Sequence, residues 1–175
     1  LADVLGNFVS RITKFCRSKF GEEVPAGGDY GGQERTLIAD LTEKVADYQS
    51  HMDAIDVRKG ANALRAIWVA GNEYLQSAAP WSTFKEDPEL AAMQVRMGLN
   101  LIGLYARLSS PFIPDTSGKL HTALALDTLD WPEDVAACLS SLTPGHTFVV
   151  PDNLFAKISD EDREGWQEKF AGVRS

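Results

Sequence analysis

Several things are scarce in this sequence, and each scarcity excludes something. Cysteine occurs twice in 175 residues, as Cys16 and Cys138, with no CxxC spacing, which argues against a disulfide scaffold and a cysteine-rich zinc site. No apolar run approaches the roughly 20 residues a membrane span needs, so no transmembrane helix and no membrane partner is expected. The first ten residues already contain Asp3, Asn7 and Ser10, so a secretory leader is not expected either. Basic residues are the minority, 17 Lys and Arg against 25 Asp and Glu for a net charge of −8. That balance argues against a sequence-blind binder of phosphate backbone, whose affinity comes mainly from Lys and Arg.

Recognisable catalytic chemistry is missing too. His51, His121 and His146 are scattered, none at the i, i+3 or i+4 distance of a helical metal site. HExxH, GxSxG, a Walker loop and GxGxxG do not occur. The carboxylate runs Glu22-Glu23 and Asp160-Glu161-Asp162 read as loop solvation and helix N-terminal charge. Gly31-Gly32-Gln33 repeats the tripeptide of peptide-release factors, but in a Gly-rich loop with nothing basic around it we read this as chance. Neither a catalytic residue nor a metal or cofactor ligand is expected in this chain.

What remains is a helical pattern. The hydrophobic fraction of 44% and charged fraction of 24% are those of an ordinary soluble globular domain, and the length suits one domain, or one with a terminal appendage. Leu5, Phe8, Val9, Ile12, Phe15 and Cys16 recur every three or four residues and predict a helix from about Ala2 to Phe20. Residues 21–32 are a Gly-rich loop. Leu37, Ile38, Leu41, Val45 and Tyr48 form a second stripe. A third helix is expected from about Asp56 to Gln76, ended by Pro80-Trp81. Asp87-Pro88-Glu89 caps a fourth that runs to Pro111. A fifth spans Pro114 to about Ala125, and a short one follows Trp131-Pro132-Glu133. Residues 144–158 lose the helical period and read as extended, and Ser159-Asp160-Glu161-Asp162 is a capping box for a last helix to about Phe170. The expectation is all-α: a helical bundle over residues 1–143, then an extended C-terminal segment and short helix over 144–175.

Charge is segregated within that bundle. Arg11, Lys14, Arg17 and Lys19 against Asp3 leave residues 1–20 at +3, and the remaining residues at −11. At about 100° per residue, Asn7, Arg11, Lys14 and Ser18 line up opposite the apolar face. Asn7 and Arg11, at i and i+4, present an amide and a guanidinium side by side. An amide carbonyl can accept from an exocyclic amine while arginine donates to ring acceptors, a pair suited to the Watson–Crick edge of an unstacked base. The same face would also serve simply to solvate a surface helix. Trp81, after Pro80 at a helix end, could plug the core or offer a stacking platform worth about 1–3 kcal/mol per base.

Four stretches in this order, LADVLGNFVSRITKF, NEYLQSAAPWSTFK, NLIGLYARLSSPFIPDTSGKL and NLFAKIS, resemble the C-terminal part of methionyl-tRNA synthetases, class I aminoacyl-tRNA synthetases, over residues 1 to about 160. The Gly-Asn-x-x-x-Arg of the first helix and the Asn-x-Tyr…Ala-Pro-Trp closing the third carry the resemblance most specifically. In that family this region is the anticodon-binding helical bundle. The resemblance implies that Asn7, Arg11 and Trp81 read the CAU anticodon of methionine tRNA, the polar pair holding the first base and the indole stacking on it. Lys14 and Arg17 would touch backbone, Pro80 would set the indole's orientation, and Asn72 and Tyr74 would be structural supports. The LFAKI segment would run back across the bundle toward a catalytic part of the same parent chain. The family's His-Ile-Gly-His and Lys-Met-Ser-Lys-Ser signatures, its zinc-binding insertion and its methionine pocket are missing here, and the chain starts at Leu1. We therefore expect a fragment that binds only, from a cytoplasmic parent that would use ATP and Mg to join methionine to tRNA, with zinc possible in its insertion. Two other readings stay open at this point: the equivalent domain of a leucine, isoleucine or valine enzyme, and a helical module docking an acidic protein partner.

Overall fold

The computed structural model describes residues 2–155 and 158–171. Ala156 and Lys157 of the LFAKI segment, and the last four residues, lie outside the described residues. The helices run α1 Asn7–Lys19, α2 Gly32–Asp53, α3 Val57–Ala78, α4 Pro80–Thr83, α5 Pro88–Ser109, α6 Pro114–Ala123, α7 Val135–Cys138 and α8 Asp160–Phe170. The all-α expectation holds, with differences at the ends of elements. The first helix opens as a π-helical turn, Ala2–Gly6, before α1 begins. Beyond Ala78 the chain does not simply stop; it starts the single turn α4.

α5 is the axis of the bundle. From Ala91 to Ser109 every residue is buried except the half-buried Arg96 and Arg107, the pattern of a helix surrounded on all sides. α1 and α3 pack against α5 across two glycines. A Cβ on Gly98 would meet Ile12 Cδ1 at 2.6 Å, and one on Gly71 would meet the Tyr105 hydroxyl oxygen at 1.8 Å. Those close approaches let Phe8 of α1 reach Tyr105, edge-on at 5.3 Å between ring centroids. α2 pairs with α3, and its Tyr48 hydroxyl donates to Leu108 O at 2.9 Å.

The segment read as extended behaves as a lace rather than a sheet strand. Val24 N–H donates to His146 O at 2.8 Å and Phe148 N–H to Glu22 O at 3.0 Å, around a single antiparallel bridge between Glu23 and Thr147. Val149 N–H then donates to Ala123 O of α6 at 2.7 Å. Residues 151–155, the strap, continue onto α1, where Phe155 lies against Gly6. α8 has its capping box, Ser159 with Asp162, but buries none of its residues, and Trp166 and Phe170 are exposed. No helix among the described residues is long and apolar enough to cross a membrane.

Candidate nucleic-acid interface

α1 buries Phe8, Val9, Ile12, Thr13 and Cys16, which turns Asn7, Arg11, Lys14 and Arg17 outward, all four exposed. Burial pushes the Cys16 thiol up to about 12, so it is an inert core group rather than a nucleophile. Asn7 is the first residue of α1, and its Nδ2 donates to Asp3 O at 3.2 Å. A backbone carbonyl only accepts, so this bond fixes which end of the amide is which. The donor end is tied back to the π-turn and Oδ1 is the end left to accept from a ligand.

The geometry of the π-turn is itself supported from α3. Asn72 Nδ2 donates to Val4 O at 3.2 Å and to Trp68 O at 2.9 Å, so a side chain of α3 satisfies a carbonyl of the π-turn. Asn72 thus pins the start of α1 to α3. Tyr74 is also internal: it is buried, and its hydroxyl donates to Glu34 Oε1 at 2.8 Å. Burial first, and the Glu34 carboxylate second, push its phenol well above the usual range. Glu34 Oε2 in turn accepts from Gly31 N at 3.0 Å. The Gly31-Gly32-Gln33 tripeptide is therefore the N-terminus of α2, structural in its context.

Arg11 and Trp81, 70 positions apart, meet: the guanidinium carbon lies 4.1 Å from the indole centroid. Trp81 is half-buried, packed edge-on against Phe15 at 6.5 Å and 89°. Phe15 in turn meets Phe84 at 6.1 Å and Phe20 at 6.4 Å, both edge-on. The indole is thus neither a core plug nor a free platform. An aromatic cluster holds it and Arg11 covers it. Phe20 and Phe84 complete this cluster without any motif in the sequence to mark them, although Trp81 and Phe84 stand at i, i+3, a spacing that joins side chains along a helical turn.

Backbone geometry delivers the indole to this place. Ala79 ends α3 in the left-handed region at φ 43° and ψ 59° and is at once the residue before α4. Pro80 is the buried first residue of α4, where its locked φ suits a helix start and its missing N–H costs nothing. Thr83 Oγ1 donates to Ala78 O at 3.0 Å and closes the reversal. A left-handed alanine costs about 1–2 kcal/mol, which the packing of Pro80 and Trp81 offsets.

Asn7, Arg11 and Trp81 therefore converge on one exposed surface of α1. Lys14 lies on the same face of the helix two turns beyond Asn7 and lines a small cavity under the strap, while Arg17 is exposed about one turn further along. Among the described residues no group of three or more His, Cys, Asp or Glu could hold a metal ion.

Comparison with known proteins gives the family. Residues 24–175 match the family described as the anticodon binding domain of methionyl tRNA ligase. The whole chain is 69% identical to 30% of the methionine–tRNA ligase of Ruegeria sp. (strain TM1040). Over 174 residues, 99% of this chain, it is 64% identical to the enzyme of Dinoroseobacter shibae, again 30% of that protein. The chain thus spans about a third of the length of the curated relatives it matches. In fold it is similar to the apo form of Mycobacterium tuberculosis methionyl-tRNA synthetase, with a TM-score of 0.77 at 21% identity, over 91% of this chain and 32% of that one. These matches favour the methionine-type reading over the leucine, isoleucine and valine types and over an unrelated docking module. The chain belongs to the family of anticodon-binding domains of methionyl-tRNA ligases.

Proposed function

We infer that this chain reads the CAU anticodon of methionine tRNA for a parent methionyl-tRNA synthetase. The contact of Arg11 with Trp81 at 4.1 Å, beside an Asn7 amide whose acceptor end is free, carries this reading. In the proposed complex the first anticodon base, cytosine, stacks at Trp81. Its exocyclic amine donates to Asn7 Oδ1, and Arg11 donates to the ring acceptors. Lys14 and Arg17 meet phosphates. Because Arg11 already covers the indole face, an entering base displaces the guanidinium. The arginine thus changes partner, from indole to base, at the moment of recognition.

Stacking tolerates any base, so Trp81 supplies affinity and the amide–guanidinium pair supplies discrimination. Uracil presents an acceptor where cytosine presents its amine, which leaves Asn7 Oδ1 facing an oxygen. The parent enzyme's chemistry, joining methionine to tRNA with ATP and Mg, lies in a catalytic part of the same chain, together with any zinc-binding insertion. No step of it is assigned to these residues. The working compartment of such an enzyme is the cytoplasm. Fluorescence anisotropy with CAU and UAU anticodon stem-loops tests the reading. Tighter binding of CAU is expected, and equal binding of the two loops overturns it.

A further inference from the structure

The strap 151–155 and α1 enclose a cavity of about 150 Å³, on the scale of one nucleobase and too small for the 300–1,000 Å³ of a drug-sized ligand. Asn7, Ser10 and Lys14 line it from α1, and Asp152, Asn153 and Phe155 from the strap. The position on the helix is informative. At about 100° per residue, Asn7 and Lys14 lie only about 20° apart and form a ridge. Arg11, with Trp81 above it, falls on one side of that ridge, and Ser10, with the strap, falls on the other. A strand of RNA crossing α1 with its first anticodon base at Trp81 meets Lys14 next, and then this cavity.

The lining suits a base edge. Asn153 offers a donor and an acceptor, Ser10 can do either, and Asp152 accepts, while Phe155 and Leu154 add apolar surface. Gly6 matters to this arrangement. A Cβ there would stand 3.1 Å from Phe155 Cδ2, so a side chain at this position would press on the Phe155 ring that closes the strap onto the π-turn.

We propose that the strap cavity is a second base subsite. It takes the second or third anticodon base, with Asn153 and Ser10 contacting its edge and Lys14 neutralising the phosphate between the two wells. The proposal rests on the anticodon reading above and deepens it: the strap becomes a specificity element rather than a passive chain end.

Anisotropy titrations of the 175-residue chain test it, using the CAU stem-loop and three versions that are abasic at the first, second or third anticodon position. In the unmodified chain, removing the base that fills the cavity weakens binding roughly three- to tenfold, the worth of one or two hydrogen bonds exchanged with water. In Asn153→Ala that removal costs measurably less, whereas loss of the first base costs as much as before. Ser10→Ala gives the same pattern. Both residues lie at the surface, and thermal melts of the variants verify that the fold is intact. If Asn153→Ala and Ser10→Ala both respond to all three abasic loops as the unmodified chain does, the cavity takes no base. If first-base removal and Trp81→Ala are also without effect, the anticodon reading fails and this proposal with it. The first-base arm therefore separates the two failures.

Discussion

Replacing Trp81 by alanine is the most informative perturbation, because the structure sets both the gain and the competitor. A base stacked on an aromatic side chain is worth about 1–3 kcal/mol. In the free chain, however, the indole already holds the Arg11 guanidinium at 4.1 Å, a contact worth about 0.5–1 kcal/mol at an exposed site. The entering base gains only the difference, about 1.3 kcal/mol between the midpoints of those ranges, so Trp81→Ala should weaken stem-loop binding by about tenfold. Since stacking is indifferent to base identity, CAU and UAU loops should weaken together, with most of their ratio preserved. Asn7→Ala should do the opposite, reducing the ratio more than the affinity. Losing the edge-on contact with Phe15 costs the fold about 0.5–1.5 kcal/mol as well, so urea unfolding must accompany the titrations. Trp81→Phe retains a ring and should recover part of the binding. A Trp81→Ala chain that is folded and binds CAU within about a factor of two of the original would refute the stacking argument.

Other consequences follow from the same geometry. Gly71→Ala should destabilise the bundle by about 1–3 kcal/mol in urea, since its Cβ would stand 1.8 Å from the Tyr105 hydroxyl oxygen. Adding Tyr105→Phe removes that oxygen and should restore part of the loss; no rescue would mean the helices, not the hydroxyl, set the spacing. Burial pushes the Tyr48 phenol up to about 12, and Tyr74 and Tyr105 move in the same direction. The unfolded chain releases these protons from about pH 10 while the native chain keeps them, so the stabilisation is complete below about pH 10 and lost as pH rises toward 12. Urea midpoints should be flat up to about pH 9 and fall above it, less steeply in Tyr48→Phe; midpoints that rise with pH in that range would contradict the sign. Finally, α1 offers four exposed cations, which bounds the slope of log K against log salt at about −3 for a single-stranded loop. A slope of about −6 would require a second basic surface elsewhere on the chain.

Much of the fold was legible in the sequence because helices are local. The three-to-four spacing of Leu5, Phe8, Val9 and Ile12, the Asp87-Pro88 start and the Ser159–Asp162 box each act within one or two turns, and each appears in the structure with its bounds shifted by a few residues. The π-turn at Ala2–Gly6 did not show, and the amide that braces it, Asn72 reaching Val4, comes from α3. The candidate site was only half legible. Asn7 and Arg11 share a helix face by simple periodicity, but whether Trp81 was plug or platform stayed open from the residues alone, and its place beside them came from the resemblance.

The sequence by itself thus determined the helices, the segregation of +3 onto α1 within a chain of net charge −8, and the type of side chain that could read a base. Those are properties of composition and of contacts a few residues apart. Only the tertiary structure decided that Arg11 rests on Trp81 across 70 positions, that Phe15, itself packed by Phe20 and Phe84, holds the indole, and that the strap returns over Gly6 to wall a cavity beside Asn7. Each of these depends on α1, α3 and α5 packing at distances that Gly71 and Gly98 permit, on the left-handed turn at Ala79, and on where the chain goes after residue 148. Such contacts are set by the packed volume of the whole core, which a sequence encodes without displaying.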